Sequence, residues 1–439
     1  MRKILALLMV LCSFLISSLP AKIQGDIEMR FLKNKLTVIS KRTKTNNIVG
    51  IVCLIRVGSA FERTEENGIS SLIQALLMKG TNKHSTSELA LALEREGIFM
   101  NTDASEDFVS VSVAATADQI DRALELLSEV LFEPSFPAEE LEKERRNAIA
   151  QINLVEDDKF YLSFRNLREI LYEGHPYSQP TEGRPESLLI ITKAQIEQFH
   201  NRFYQPENMT LAIVGNVPRD ELNKCVNRHF GSRVSQEVNL FISTKTFNPV
   251  LRTREIKKPL EQGFLTMGYI GVPMNHKDYP ALRVACAILG EGMASRFFTQ
   301  LRDQRGLAYA VGGFYQSLRL HGAVIGYIGT RPETLEVSNR AMRHIFEDLA
   351  ENPIHEDELN RAKNYLIGKY LIAHQTNLKK ANYLAWFHCF GLGVEFDEKY
   401  PELIMGVKIK DVRRVARKYF KMPAIVTLSP ESKSQNKSE

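Results

Sequence analysis

Alternating apolar and polar positions divide this chain into short strand-like segments and longer helical ones. Alternating or continuously apolar runs, typical of β-strands, occupy residues 36–41, 48–57 and 108–114. Apolar residues recur at helical spacing over residues 117–131. Ser85 and Glu88 form a capping box that opens another helix, which Gly97 should end. Strands and helices grouped in this way predict an α+β fold, in which helices cover one face of a mostly antiparallel sheet.

The same order of segments occurs twice along the chain. Each copy has paired strands, a helical stretch, two more strands and a helix, followed by a helix that begins with acidic residues. Aligning Glu140 with Glu358 sets the offset between the two copies, which is the difference between those two residue numbers. A repeat of this length has the size of a domain, so it indicates a duplication and not a solenoid.

The domain boundaries follow from this repeat. Residues 231–258 lack helical periodicity and contain Ser, Thr, Asn and Pro, which is typical of a linker. We therefore expect an N-terminal domain at residues 27–230 and a C-terminal domain at residues 259–428. Residues 429–439 are predicted to form a polar tail.

Residues 1–21 have the pattern of a secretory signal peptide. Arg2 and Lys3 give a basic start, residues 4–19 form an apolar run, and cleavage is expected near Ala21. An uncleaved membrane anchor is the alternative, although the run is short for a helix that spans a bilayer. The pattern predicts a secreted or periplasmic protein, or a membrane-anchored one if the signal is retained.

The composition excludes several classes of function. The 439 residues are 44% hydrophobic and 25% charged, as in ordinary globular proteins, and the formal charge falls from +5 to +3 without Arg2 and Lys3. Because no basic stripe is interleaved with aromatic residues, nucleic-acid binding is not indicated. The four cysteines after Cys12 are widely spaced, which favours buried free thiols over disulfides. The sequence has no nucleophile elbow, phosphate loop or dinucleotide fingerprint.

The segment GISSLIQALLMKGT, residues 68–81, resembles the zinc-binding helix of the insulinase, pitrilysin and mitochondrial-processing-peptidase superfamily. Those zinc peptidases carry the pattern G-[LI]-x-H-x-x-E-H-x-x-F-K-G-T at this place. Other segments similar to the family are VGSAFERTEENG, EELEKERRNAIAQI, FYQPENMTLAIVGNV and, in the second half, ILGEGMASRFFTQLRDQRGLAY. The resemblance implies two homologous domains that form half of a clam-like chamber.

The residues that would hold zinc are missing from this chain. The family has two histidines and a catalytic glutamate where this sequence has Ser71, Ala75 and Gln74, three positions on one helix face. The resemblance places a third ligand, a glutamate, at Gln151. A hydroxyl, a methyl and two carboxamides are poor ligands for Zn²⁺, and a carboxamide cannot act as a general base. We expect no metal and no other cofactor in this chain.

A replacement zinc site is not evident elsewhere in the sequence. His344 with Glu347 and His355 with Glu358 are the only comparable His-x-x-Glu pairs, and neither is followed by a second histidine. Such pairs are typical of the solvated face of an amphipathic helix. A stand-alone peptidase with an unusual metal site is therefore the weakest alternative.

The second half contains a pair of residues that the family uses in catalysis. LRDQRGLAY resembles the family's Arg and Tyr, seven positions apart, which correspond here to Arg302 and Tyr309. In the family these residues face the zinc from the C-terminal half. A guanidinium donates several hydrogen bonds in a fixed geometry, and a phenol can donate to an oxyanion. Without the resemblance, Arg302 would be interpreted as a solvated helix residue and Tyr309 as a core aromatic. Arg305 is an alternative to Arg302.

The zinc ligands are missing from one half, whereas Arg302 and Tyr309 are present in the other. This combination predicts that two subunits share the catalytic residues. The resemblance implies an exported subunit of a heterodimeric zinc metallopeptidase, inactive alone, whose homologous partner carries the zinc. The substrate would be an extended peptide. The alternative is a non-enzymatic structural or peptide-binding homologue of the same superfamily.

Overall fold

Two β-sheets, each covered by helices, organise the chain. This computed structural model describes residues 22–24, 26–240, 242 and 250–431, and the predicted signal peptide at residues 1–21 lies outside them. The strands of the first sheet are β1 (Lys22–Gln24), β2 (Ile27–Phe31), β3 (Thr37–Arg42), β4 (Ile48–Ile55), β5 (Phe99–Ala104), β6 (Val109–Thr116) and β7 (Met209–Gly215). Those of the second sheet are β8 (Arg252–Lys258), β9 (Gly263–Ile270), β10 (Ala310–Gln316), β11 (Ala323–Thr330) and β12 (Ala424–Pro430).

The helices alternate with these strands along the chain. In the first half they are α1 (Ile69–Leu76), α2 (Thr86–Arg95), α3 (Ile120–Phe132), α4 (Ala138–Val155), α5 (Lys159–Leu171), α6 (Pro185–Ile190), α7 (Lys193–Phe203) and α8 (Arg219–Phe230). In the second half they are α9 (Tyr279–Gly290), α10 (Leu335–Glu351), α11 (Glu356–Ala373), α12 (Asn377–Cys389), α13 (Phe396–Met405) and α14 (Ile409–Tyr419). A π-helical segment, Phe297–Asp303, precedes β10.

Five strands of each sheet follow the same spatial order, as expected for a duplication. The first sheet runs β1-β2-β3-β7-β4-β6-β5, and the second runs β10-β11-β9-β12-β8. Read from its other edge, the second sheet reproduces the last five strands of the first. In each half the strand that comes first along the chain lies next to the strand that comes last, and these two strands are parallel: β3 with β7, and β8 with β12. The other neighbouring pairs of the five strands are antiparallel. The predicted α+β fold with two homologous halves is confirmed.

Several local predictions are confirmed in detail. The Ser85 side chain accepts from the backbone of Glu88, and the Glu88 carboxylate accepts in return from the backbone of Ser85, which closes the capping box of α2. Gly97 follows that helix with a φ of 62°, a conformation that glycine adopts without steric cost. Helices α4 and α11 begin and end at positions related by the offset that the sequence predicts.

The two halves exchange one helix each. By sequence α5 belongs to the first half, but its residues Leu162, Leu167 and Leu171 are buried against β9, β11 and β12 of the second sheet. By sequence α12 belongs to the second half, but Leu384 and its neighbours are buried against β4 and β7 of the first. Each sheet therefore has its own helices on one face and the other half's helix on the opposite face.

Two glycines at equivalent positions let the exchanged helices approach their sheets. Gly50 of β4 lies directly under the first turn of α12, where a methyl group would overlap the backbone of Asn377 and Leu378. The Asn377 side chain donates to the carbonyl of Ile48 at 2.7 Å. Gly268 of β9, which the same offset relates to Gly50, lies under leucine side chains of α5. The close approach of backbone to backbone requires glycine at residue 50.

The second sheet begins inside the segment that the sequence predicts as a linker at residues 231–258. Arg252–Lys258 forms edge strand β8, whose side chains other than Ile256 are polar on both faces and therefore lack the alternation that marks a strand. At the other end, β12 extends through Pro430, so the predicted tail at residues 429–439 begins within a strand. No helix among the described residues is both long and apolar enough to cross a bilayer.

We expect Gly50→Ala to destabilise the folded chain by about 3 kcal/mol, because the added methyl must push the backbone of α12 away from β4. Gly268→Ala should cost less, since the methyl there meets the ends of leucine side chains that can move. Gly368→Ala is the control, because its Cβ would meet no atom within 4 Å and α11 should gain from alanine. Urea-unfolding free energies measure all three, and equal values for Gly50→Ala and Gly368→Ala would contradict the exchange geometry.

Candidate functional site: a zinc scaffold without zinc ligands

Helix α1 is held in place by a buried carboxylate at its N-terminus. Glu62 accepts hydrogen bonds from the backbone N–H groups of Gly68 at 2.8 Å and Ser70 at 2.9 Å, and from the Asn67 side chain at 2.9 Å. Burial raises the pKa of Glu62, and these hydrogen bonds partly offset that shift. Gly68 has a φ of 97° and turns the chain into the helix. The scaffold of α1 is therefore intact.

The polar positions of α1 form contacts that suit a metal-free helix. Gln74 donates through Nε2 to the carbonyl of Thr102 at 2.9 Å and to its hydroxyl at 2.6 Å. The hydroxyl of Thr102 donates in return to the carbonyl of Gln74 at 3.1 Å. These bonds connect α1 to edge strand β5. Ser71 and Ala75 lie half-buried on the same side of the helix.

The donor set at this place does not fit zinc. Gln74 uses its amide protons on Thr102, Ala75 has no donor atom, and Gln151 of α4 is exposed. Among the described residues, no three His, Cys, Asp or Glu side chains lie close enough together to hold a metal ion. Glu358, one of the sequence candidates for a replacement site, instead accepts two hydrogen bonds from Arg296, at 2.7 and 2.9 Å. The side chains at this place therefore do not fit a bound zinc ion.

Arg302 lies on the exposed side of the π-helical segment. Phe297 and Leu301 of that segment are buried, which turns the guanidinium of Arg302 outward, where it lies over the ring of Phe298 at 5.0 Å. No carboxylate of the described residues is within ion-pair distance of Arg302. The predicted alternative, Arg305, is exposed in the turn that follows.

Tyr309 lies just before β10, seven residues after Arg302. Its N–H donates to the carbonyl of Gly329 at 3.1 Å, and its ring covers Gly329, where a side chain would overlap the phenol. The side chain is 44% exposed. Partial burial raises the pKa of Tyr309, so the phenol stays protonated at neutral pH. Nothing in the sequence indicated Gly329, on which the Tyr309 ring lies, because a glycine in an apolar strand has no distinguishing signal.

The positions of the family's zinc ligands on α1 lie in the first half, and the Arg302–Tyr309 pair lies in the second. Arg302 and Tyr309 are joined by a tight turn at Gly306, whose N–H donates to the carbonyl of Arg302 at 3.1 Å. No hydrogen bond or ion pair among the described residues connects either side chain to α1. The degenerate helix and the Arg–Tyr pair are thus two distinct places in one chain.

Comparisons with known proteins agree with this geometry. A family model described as Insulinase (Peptidase family M16) matches residues 37–184, and another, Peptidase M16 inactive domain, matches residues 191–366. The chain belongs to peptidase family M16, which confirms the predicted superfamily. An uncharacterized zinc protease of Rickettsia felis is 27% identical over 391 residues, which cover 89% of this chain and 94% of that protein. An uncharacterized zinc protease of Bacillus subtilis is 26% identical over 91% of this chain and 97% of that protein.

Solved structures share the fold. A protease from Helicobacter pylori has a TM-score of 0.86 and 23% identity, covering 92% of this chain and 99% of its own. A peptidase M16 inactive domain from Pseudomonas fluorescens also has a TM-score of 0.86, with 22% identity, and covers 92% and 98%. At these identities the likeness establishes the two-half architecture and not an activity.

We expect Gln74→Glu to destabilise the chain at about pH 7.5 by roughly 1–3 kcal/mol, because a carboxylate would face the carbonyl oxygen of Thr102. The folded state would raise the pKa of the new carboxyl above its unfolded value. The loss of stability should therefore be absent below the pKa of the carboxyl in the unfolded chain. It should grow as the pH rises from that pKa through the higher pKa of the folded chain. Denaturation at about pH 4 and about pH 7.5 measures this difference. Gln151→Glu, exposed on α4, is the matched control, and an equal pH response in both variants would contradict the proposed contact.

The chain purified from zinc-containing medium is expected to hold no stoichiometric zinc, because the four side chains offer no imidazole or carboxylate. Since the scaffold of α1 is intact, the variant Ser71→His/Gln74→Glu/Ala75→His/Gln151→Glu should take up about one zinc per chain. Elemental analysis after gel filtration measures both. Tightly held zinc in the unsubstituted chain would show that another ligand set exists.

Proposed function

We propose that this chain is the exported, zinc-free subunit of a heterodimeric zinc metallopeptidase, and that it supplies Arg302 and Tyr309 to a homologous zinc-bearing partner. One observation carries the proposal. The half that should bind zinc has a complete scaffold and no ligands, whereas the other half presents the guanidinium and the phenol to solvent. The chain alone would be inactive, and the zinc would reside in the partner.

Arg302 would bind a backbone carbonyl of the substrate. Its guanidinium has five N–H donors in a planar fork and stays charged at any physiological pH. Stacking on Phe298 restricts the side chain without using its donors. Because no carboxylate of the described residues competes for them, these donors are available to a peptide.

Tyr309 would stabilise the oxyanion that forms when the peptide carbonyl is attacked. The phenol must be protonated to donate, and its raised pKa keeps it so. The ring rests on Gly329, so its hydroxyl is positioned before substrate arrives. Such preorganisation is the main source of electrostatic catalysis, since little reorganisation is needed during the reaction.

The substrate would be an extended peptide that adds a strand to the second sheet. Strand β10 begins directly after Tyr309 and forms one edge of that sheet. An edge strand offers unpaired backbone groups to an incoming chain, which is a common mode of peptide recognition. The signal-peptide pattern of residues 1–21 supports a location of the pair in the periplasm or outside the cell, or at the membrane if the signal is retained.

Co-expression with a homologue that carries an intact His-x-x-Glu-His sequence tests the proposal. We expect the pair to cleave peptides, and Arg302→Ala or Tyr309→Phe to lower kcat/KM by about 100-fold, as loss of an oxyanion donor does. Arg305→Ala, in the exposed turn three residues away, is the matched control and should retain activity. Cleavage that is unchanged by Arg302→Ala and by Tyr309→Phe would remove the proposed catalytic role, whereas a complex that cleaves no peptide would favour the purely structural homologue.

A further inference from the structure

A cleft of about 430 Å³ lies between the two halves, away from α1 and from Arg302 and Tyr309. One wall is the turn between β5 and β6, residues 105–108, and another is the turn after β10, residues 316–318. These two turns are equivalent in the duplicated fold. The third wall is α12, the helix that the second half contributes to the first sheet.

A single stripe of α12 faces this cleft. The lining residues recur at helical spacing, namely Lys379, Asn382, Tyr383, Trp386 and Phe390. The opposite side of the helix carries Ala381, Leu384 and Ala385, which are fully buried against the first sheet. Because the sheet-facing side holds the helix in place, the cleft-facing rings are presented by a rigid element. Phe108, from the turn between β5 and β6, adds a fourth aromatic ring.

Two carboxylates also line the cleft, but both have partners. Glu106 forms an ion pair with Arg168 at 2.9 Å and accepts from Gln316 at 3.1 Å. Asp107 accepts from the hydroxyl of Tyr177 at 2.7 Å and from the backbone N–H of Arg319 at 2.8 Å. Burial raises the pKa of Asp107 to about 6. These acids connect the two halves, and each is already engaged by donors of the chain itself.

One cation of the cleft lacks an ion-pair partner among the described residues, whereas the uncharged groups without partners there include both donors and acceptors, such as the buried Oε1 of Gln316. No carboxylate of the described residues is within ion-pair distance of the exposed ammonium of Lys379. The Asn382 amide and the indole N–H of Trp386 form no hydrogen bond to another described side chain or backbone group. Lys379 also stands in the first turn of α12, where the helix dipole favours a negative charge. The cleft therefore combines aromatic walls with a cationic rim.

We propose that this cleft binds the C-terminal residue of a short peptide, with an aromatic side chain among Tyr383, Trp386 and Phe390 and the free carboxylate at Lys379. An aromatic body with one anionic end matches both the walls and the rim. The inference rests on the proposed function only for the origin of the ligand, since every cleavage by a peptidase creates a new C-terminal carboxylate. Binding itself requires this chain alone.

The isolated chain allows a direct test, because Trp386 is the only tryptophan in the sequence. Its fluorescence is titrated with acetyl-alanyl-alanyl-phenylalanine and with the same peptide as a C-terminal amide. We expect a saturable change with the free acid and about tenfold weaker binding of the amide, since a charge-assisted bond is lost. Equal affinity for acid and amide, or no saturable change, would overturn the proposal. The proposal would also be overturned if the amide of acetyl-alanyl-alanyl-lysine bound more tightly than the free acid of acetyl-alanyl-alanyl-phenylalanine, because the cleft would then bind cations.

Substitution of the neighbouring lysines locates the carboxylate. Lys379→Gln should weaken binding of the free acid about tenfold and leave the amide unchanged. Lys380→Gln, one residue along the helix and outside the cleft, should leave both unchanged and serves as the matched control. Equal losses in the two variants would overturn the assignment to Lys379. Because no partner is present, failure here is distinct from failure of the peptidase assay.

Discussion

The contact on which the structure depends is the exchange of helices between its two halves. Each sheet buries one face against helices of its own half and the opposite face against a helix of the other half. Leu167 and Leu171 of α5 cover Gly268 on the second sheet, and α12 covers Gly50 on the first. Apolar burial is the main favourable contribution to folding. The two halves must therefore fold as one unit, which fixes the places of α1 and of the π-helical segment relative to each other.

This shared core explains why the zinc scaffold can lack its ligands and still be ordered. The position of α1 is determined by its buried apolar face and by Glu62 at its N-terminus, and neither depends on a metal. The polar side chains at the positions of the family's zinc ligands must then form hydrogen bonds within the chain. Gln74 does so by donating to Thr102, and Ala75 has nothing to satisfy. Neutral groups suit a half-buried place without a cation, because an unpaired charge there would be costly.

Local features of the sequence predicted much of the fold, whereas contacts between residues far apart in the chain could not be predicted from it. The capping box at Ser85 and the apolar run of β4 involve neighbouring residues only, so their structure follows from pattern. The stripe of Ala381 and Leu384 shows which side of α12 is buried, but not that the first sheet buries it. The bond between Gln74 and Thr102 likewise depends on a sheet edge 28 residues away. The resemblance identified the Arg–Tyr positions, and only the structure could supply Gly329 beneath the phenol.

The side chains of Arg302 and Tyr309 contribute little to the stability of the folded chain, so stability does not explain their positions. An exposed cation without an ion-pair partner contributes little to folding, and a phenol that is 44% exposed gains only part of its burial energy. Many other residues would suit the surface at residue 302 as well. The chain nevertheless has a bare strand position at Gly329, and the Tyr309 ring lies over it. A fitted place for a ring that adds little to stability supports the binding role proposed for Tyr309.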